Sequence, residues 1–92
     1  MRILIIEDEV RLAGTLADMV AQDGYMADLA HDGETGLDNA LTGVYDAIVL
    51  DVMLPKLNGF DVLKRMRAEG IVTPVLMLTA KEEEVDKVLG LE

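Results

Sequence analysis

The chain has 92 residues, 51% of them hydrophobic, and 18 acidic against 8 basic residues give it a formal net charge of −10. This length fits one small domain, and the apolar content supports a packed core rather than disorder. The negative charge argues against direct binding to nucleic acids or anionic membranes, which need basic surfaces, and the absence of cysteine excludes disulfide and thiolate sites.

The first apolar run covers residues 3–6 and predicts a short buried strand. It ends in three consecutive acids and is too short for a signal peptide or a membrane span, so we expect a cytoplasmic protein. Apolar residues then recur at helical spacing over residues 9–23, and Gly24 is a typical helix stop. Residues 25–31 alternate weakly in polarity and predict a second strand.

The rest of the chain continues the alternation of strands and helices. The predicted elements are a helix over 32–43, a buried strand over 47–50, a helix over 60–70, a buried strand over 74–79 and a fourth helix over 81–91. The order β-α-β-α-β-α-β-α predicts an α/β fold with a doubly wound parallel sheet, right-handed crossovers and helices on both faces.

Polar side chains follow three of the predicted strands. Glu7 and Asp8 follow the first strand, Asp51 the third and Thr79 the fourth. The carboxyl ends of parallel strands share one edge, where α/β sheets bind ligands. Clustered carboxylates repel one another unless a cation or a proton intervenes, and hard oxygen ligands suit Mg²⁺. Taken singly, Asp8 could form a turn or a cap and Thr79 could cap a helix; together they predict a metal-assisted site around Asp51.

Three motifs resemble the receiver domain of bacterial two-component response regulators. They are Ile-Leu-Ile-Ile-Glu-Asp-Glu at 3–9, Asp-Val-Met-Leu-Pro-Lys-Leu-Asn-Gly-Phe-Asp at 51–61 and Pro-Val-Leu-Met-Leu-Thr-Ala at 74–80. Their spacing resembles the OmpR/PhoB branch, whose members carry a DNA-binding domain after the receiver. The resemblance covers residues 1–92 as one domain and implies the flavodoxin-like fold of the CheY-like superfamily, with strand order 2-1-3-4-5.

The resemblance also implies the roles of the acidic residues. Asp51 would be the phosphoacceptor, taking a phosphoryl group from a sensor histidine kinase. Asp8 would ligate Mg²⁺, Glu7 would hold the ion through water, and the backbone carbonyl of Met53 would complete the protein ligands. Such a domain is no enzyme beyond self-catalysed phosphotransfer and autodephosphorylation.

Two further roles follow from the same resemblance. Thr79 would contact the phosphoryl group and act as a switch, with the small Ala80 leaving room beside it. Leu12 would lie in a region where the kinase docks. The output under control would be transcription, through a domain outside this segment.

The chain also departs from the resembled family, whose receivers continue through a fifth strand, a Lys-Pro pair and a fifth helix. With the chain ending at Glu92, we expect a C-terminally truncated receiver with strand order 2-1-3-4, or a segment cut for another reason. Lys56 and Lys81 lie in other loops and are not expected to replace the family lysine. The strand over 74–79 would then be an apolar edge, which favours self-association by strand pairing or element exchange.

Two alternative functions remain open from the residues. A haloacid-dehalogenase-like phosphatase also uses a strand-end Asp and Mg²⁺, but it needs a second Asp where this chain has Met53. A pseudo-receiver, which binds protein partners without taking phosphate, fits the missing lysine. Phosphorylation by acetyl phosphate in the presence of Mg²⁺ distinguishes a receiver from a pseudo-receiver.

Overall fold

A mostly parallel β-sheet forms the centre of the protein in the computed structural model, which describes residues 1–78 and 88–91. In chain order the elements are β1 (Arg2–Ile6), α1 (Val10–Gln22), β2 (Met26–Ala30), α2 (Gly33–Ala40), β3 (Ala47–Asp51), α3 (Gly59–Ala68), β4 (Val75–Leu78) and β5 (Val88–Leu91). Within the described residues, none of the helices is long and apolar enough to cross a membrane.

The strand order in the sheet is β2-β1-β3-β4-β5. The first four strands are parallel, with Ile6 beside Ala30 and Leu50, and Asp51 beside Leu78. This confirms the predicted α/β fold and the order 2-1-3-4. Because the strands run in the same direction, all of their carboxyl ends meet at one edge of the sheet.

Two of the three described helices, α2 and α3, begin with a side-chain cap, whereas Glu9 before α1 makes no such bond. The Asp32 side chain accepts the N–H of Thr35 at the start of α2, and the Asn58 side chain does the same for Asp61 at the start of α3. Glycines at positive φ (Gly24 at 88°, Gly43 at 75° and Gly70 at 86°) follow the three helices. Each glycine lies two or three residues beyond the end of its helix, where a left-handed residue turns the chain away, and α2 ends at Ala40, before the predicted residue 43.

The core lies mainly on the sheet face covered by α2 and α3. Alternate residues of β1, such as Leu4 and Ile6, point to that face and pack with Val62 and Met66 of α3. Ile3 and Ile5 point to the opposite face, where α1 packs against β1 and β2. The layers therefore follow the right-handed crossovers of a doubly wound sheet.

The predicted fourth helix is wrong where the structure describes it. Residues 81–87 lie outside the described residues, but Val88–Leu91 forms strand β5, antiparallel to β4. A short apolar run fits a strand as well as a helix, and the outer edge of β4 offers backbone groups that need partners. The same pairing corrects the expectation that β4 is the open edge of the sheet and that self-association uses it, because β5 occupies that position.

Candidate functional site

Glu7 and Asp8 lie immediately after β1, where the strand leaves the core. The backbone N–H of Glu7 donates to the Ala30 carbonyl at 2.9 Å, so the bonding between β1 and β2 continues one residue beyond the strand. The Glu7 carboxylate accepts the N–H of Glu9 at 3.0 Å. Glu7 is only 5% exposed, whereas Asp8 is exposed. The pair thus presents one buried and one solvent-facing carboxylate.

Asp51 is the last residue of β3 and is paired with Leu78 of β4. The next N–H, that of Val52, donates to the Leu78 carbonyl at 3.0 Å. The N–H of Met53 then turns back and donates to Oδ1 of Asp51 at 3.2 Å. With Asp51 only 7% exposed, its carboxylate is held at the strand end by its own loop.

The two strand ends bring three carboxylates together. Glu7, Asp8 and Asp51 each place one carboxylate oxygen within 4.8 Å of the others. Burial raises the pKa of Glu7 to about 7, and the charges of Asp51 and Asp8 act in the same direction against the lowering effect of the Glu9 N–H. Such a cluster favours a proton or a cation between its oxygens. An all-oxygen donor set is the one that Mg²⁺ prefers, so the residues present fit this ion.

The loop between β3 and α3 packs directly onto Asp51. The Gly59 N–H donates to the Val52 carbonyl at 2.8 Å. A Cβ atom at residue 59 would overlap the Asp51 carbonyl oxygen and lie 2.8 Å from the Val52 Cα. Only glycine permits this approach without a shift of the backbone. Gly59 therefore helps to position Asp51 in the site.

The tip of the same loop is tied to the start of α2. The Gly33 N–H donates to the Pro55 carbonyl at 3.2 Å, and the Leu57 N–H donates to the same oxygen at 2.7 Å. Lys56, between them, has a φ of 69°, and its Nζ lies 4.0 Å from Oδ2 of Asp32. Lys56 thus lies at the α2 end of the loop, and its failure to replace the family lysine stays a prediction.

His31 is a residue at this edge for which the sequence pattern indicated no role. Its Nδ1 lies 2.9 Å from the backbone carbonyl of Glu7. Because a carbonyl oxygen can only accept, Nδ1 carries the hydrogen and donates. His31 follows β2 as Glu7 follows β1, and this shared position at a strand end was the available signal.

The other predicted site residues are placed as follows. Thr79, Ala80 and Lys81 lie outside the described residues, so their roles stay predictions. Met53 contributes its backbone N–H to Asp51, its side chain is 63% exposed, and the predicted role of its carbonyl is untested. Leu12, the predicted docking residue on α1, is 39% exposed.

Known transcriptional regulators are similar to this chain in sequence. The transcriptional regulatory protein DltR of Streptococcus agalactiae is 50% identical over 92 residues, which cover 100% of this chain and 41% of the relative. The alkaline phosphatase synthesis transcriptional regulatory protein PhoP of Bacillus subtilis is 50% identical over 91 residues, covering 99% of this chain and 38% of the relative. The chain thus spans about two fifths of the length of these curated relatives.

Solved structures share the fold. The receiver domain of the Francisella response regulator 1452 has a TM-score of 0.83 at 32% identity, covering 90% of this chain and 69% of that chain. The response regulator TrrA of Thermotoga maritima, solved in complex with Mg²⁺ and BeF, has a TM-score of 0.81 at 31% identity, covering 88% and 70%. A family model described as the response regulator receiver domain matches residues 3–92. The chain therefore belongs to the response regulator receiver domain family.

Proposed function

We propose that this chain is the phosphoacceptor part of a two-component signalling protein and that Asp51 receives a phosphoryl group from a sensor histidine kinase. Members of the family are signalling domains rather than classical enzymes. The observation that carries the proposal is the buried carboxylate of Asp51 at a strand end, with oxygens of Glu7 and Asp8 within 4.8 Å.

The proposed chemistry is a single displacement at phosphorus. An oxygen of Asp51 forms the new P–O bond, while the P–N bond of the phosphohistidine breaks and its imidazole leaves with the electron pair. The Met53 N–H, 3.2 Å from Oδ1, holds the carboxylate plane during the reaction. Phosphoryl transfer depends on positioning and charge neutralisation, and the strand-end loop supplies the positioning.

The acidic cluster would hold Mg²⁺, with the Asp8 and Asp51 carboxylates and the Met53 carbonyl as ligands and Glu7 acting through water. When bound, the ion neutralises negative charge on the phosphoryl oxygens and on the cluster. Glu7 would then be ionised, because a nearby cation favours the charged form of the carboxyl that burial disfavours. TrrA, a relative in structure, is known in complex with Mg²⁺ and BeF.

The remaining parts of the proposal follow from the family resemblance. Thr79 would donate its hydroxyl to the phosphoryl group and change position with phosphorylation, and Ala80 would leave room for the group. The relatives are transcriptional regulators more than twice the length of this chain. We therefore assign control of transcription to a longer protein of which this domain is the phosphorylated part, with no DNA contact by the acidic domain itself.

The test is incubation with Mg²⁺ and acetyl phosphate, followed by intact mass measurement. We expect one added phosphoryl group in the wild-type chain and in Asp38→Asn, which removes an exposed acid on α2. We expect none in Asp51→Asn or in the presence of EDTA. If the folded wild-type chain takes no phosphoryl group under these conditions, the phosphoacceptor assignment is wrong and an interaction module without phosphate chemistry is favoured.

A further inference from the structure

We propose that His31 is a positioning residue that orients the peptide between Glu7 and Asp8 and thereby increases the affinity of the acidic cluster for Mg²⁺. The inference rests on the proposed function, because it concerns the same metal site. Its evidence is separate: a hydrogen bond from the His31 imidazole to the backbone carbonyl of Glu7.

The position of this bond follows from the sheet register. Ile6 of β1 pairs with Ala30 of β2, and the Glu7 N–H still donates to the Ala30 carbonyl at 2.9 Å. In a parallel pair the next bond would come from a backbone N–H two residues after Ala30. The chain there has already turned into the cap of α2, at Asp32. The imidazole of His31 reaches the Glu7 carbonyl instead, at 2.9 Å.

The carbonyl in question is the one that links the two acids. The C=O of Glu7 and the N–H of Asp8 belong to one planar peptide unit, so fixing the oxygen fixes the direction in which the chain leaves Glu7. Glu7 is also held by its own N–H and by the bond from the Glu9 N–H to its carboxylate. The His31 bond adds a third restraint and fixes the orientation of the peptide that leads into the exposed Asp8.

A restrained loop binds an ion more tightly than a free one. Without the His31 bond, the peptide after Glu7 would have to be ordered when Mg²⁺ binds, and that cost would appear as weaker affinity. Outer groups that orient metal ligands typically change affinity in this way. His31 itself is exposed, so its bond contributes little to the stability of the fold as a whole. A loss of Mg²⁺ affinity without a matching loss of stability therefore distinguishes a positioning role from a structural one.

The test uses two substitutions that differ in the donor they retain. In His31→Asn the amide nitrogen occupies the place of Nδ1 and keeps the N–H, whereas His31→Leu keeps a similar bulk without a donor. Thr15→Val is the matched control, since it removes a side-chain bond of 3.0 Å from Thr15 to the Arg11 carbonyl, on α1. Mg²⁺ affinity is measured from NMR shifts of the Asp8 amide, and unfolding by urea in EDTA gives the stability of the metal-free protein.

We expect His31→Leu to weaken Mg²⁺ binding about three- to tenfold. Its free energy of unfolding in EDTA should be close to that of Thr15→Val. His31→Asn should restore most of the affinity. In EDTA, ¹⁵N relaxation should show added motion at the Asp8 and Glu9 amides in His31→Leu alone. At saturating Mg²⁺ the rate of phosphorylation should approach that of the wild type.

Equal Mg²⁺ affinity in wild type and His31→Leu overturns the inference. It is also overturned if His31→Asn loses as much Mg²⁺ affinity as His31→Leu. The proposed function fails separately, through the wild-type chain. If wild type binds Mg²⁺ without accepting phosphate on Asp51, the phosphoacceptor role is wrong and the affinity comparison still decides the role of His31. If wild type does not bind Mg²⁺ at all, both are wrong.

Discussion

The two ends of the parallel sheet hold their carboxylates in opposite ways. Toward the amino end, Asp28 accepts hydrogen bonds from the Tyr45 hydroxyl at 2.6 Å and the Arg2 guanidinium at 2.9 Å. These bonds hold the pKa of Asp28 below its ordinary value. At the carboxyl end, burial and neighbouring acids raise the pKa of Glu7 to about 7. The same kind of side chain is therefore stabilised in its charged form at one end and destabilised at the other.

The amino end satisfies its charges from within the chain. The Arg2 guanidinium lies 5.7 Å from the centre of the Tyr45 ring, and the Arg2 backbone N–H donates to Asp46 at 2.8 Å. At the carboxyl end, three carboxylates face one another within 4.8 Å. Perturbed acids of this kind are typical of functional sites, where the fold accepts a cost in stability that a ligand relieves. The difference indicates which end of the sheet is structural and which has the perturbed acids typical of a functional site.

The largest effect should come from crowding the carboxyl end. Gly59→Ala places a Cβ against the Asp51 carbonyl oxygen and 2.8 Å from the Val52 Cα, and both of these are backbone atoms that cannot rotate away. We expect a loss of about 3 kcal/mol in the free energy of unfolding, measured by urea denaturation followed by circular dichroism. Any folded fraction should also bind Mg²⁺ less tightly, because Asp51 is displaced.

The control for this substitution is Gly14→Ala on α1. Gly14 lies inside the helix, and a Cβ there would meet nothing within 4 Å. Alanine should raise the free energy of unfolding by about 0.5–1 kcal/mol, because it restricts the unfolded chain and favours the helix. If the two variants had the same free energy of unfolding, the close packing at Gly59 would not contribute to stability.

The acidic cluster should affect how the free energy of unfolding of the metal-free protein depends on pH. The folded-state pKa of Glu7, about 7, exceeds its ordinary value of 4.5, so the stability contributed by its bound proton is full below pH 4.5 and is lost as the pH rises through 7. Glu7→Gln, which cannot ionise, should therefore be more stable than wild type at pH 8 in EDTA, by about 1–3 kcal/mol. Urea unfolding of both chains between pH 4 and 8 measures the gap.

Two comparisons bear on this result. Asp28→Asn at pH 8 should change stability in the opposite direction, with a loss of about 0.5–1 kcal/mol for its partly exposed group. Added Mg²⁺ should stabilise wild type more than Glu7→Gln, because the ionised Glu7 carboxyl attracts the cation and the neutral amide does not. The difference in the free energy of unfolding between the two chains should therefore become smaller. If the difference in the free energy of unfolding between Glu7→Gln and wild type did not grow with pH, the raised pKa of Glu7 would be contradicted.

Much of the parallel part of the fold could be predicted from local patterns. Apolar runs mark three of the four parallel strands, weak alternation in polarity marks β2, and glycines mark the helix ends, since burial and positive φ each select residue types directly. Val88–Leu91 could not be assigned in this way. Four mostly apolar residues have no periodicity that separates a strand from a helix, and the pairing with β4, a tertiary contact, decides between them.

The acidic cluster was predictable from topology alone, because parallel strands bring their carboxyl ends to one edge. The supporting contacts were not. The His31 bond to Glu7 depends on where β2 stops relative to β1, and the need for Gly59 depends on a contact between α3 and the end of β3. Both are distances between elements, which the order of residues does not contain. Sequence reasoning thus found the clustered carboxylates more readily than the groups that position them.

The smallest expected effect tests whether the two ends are independent. Tyr45→Phe removes the 2.6 Å bond to Asp28 and leaves the Arg2 bond in place, so we expect a loss of about 0.5–1 kcal/mol in the free energy of unfolding. In the Asp28→Asn background the same substitution should cost less, since the charged acceptor is gone; a double-mutant cycle measures this coupling. Mg²⁺ affinity should not change in either variant, because the contacts removed lie away from the cluster. Weaker Mg²⁺ binding in Tyr45→Phe would mean that the charge network at the amino end supports the metal site through the strands, and the division between a structural and a functional end would no longer hold.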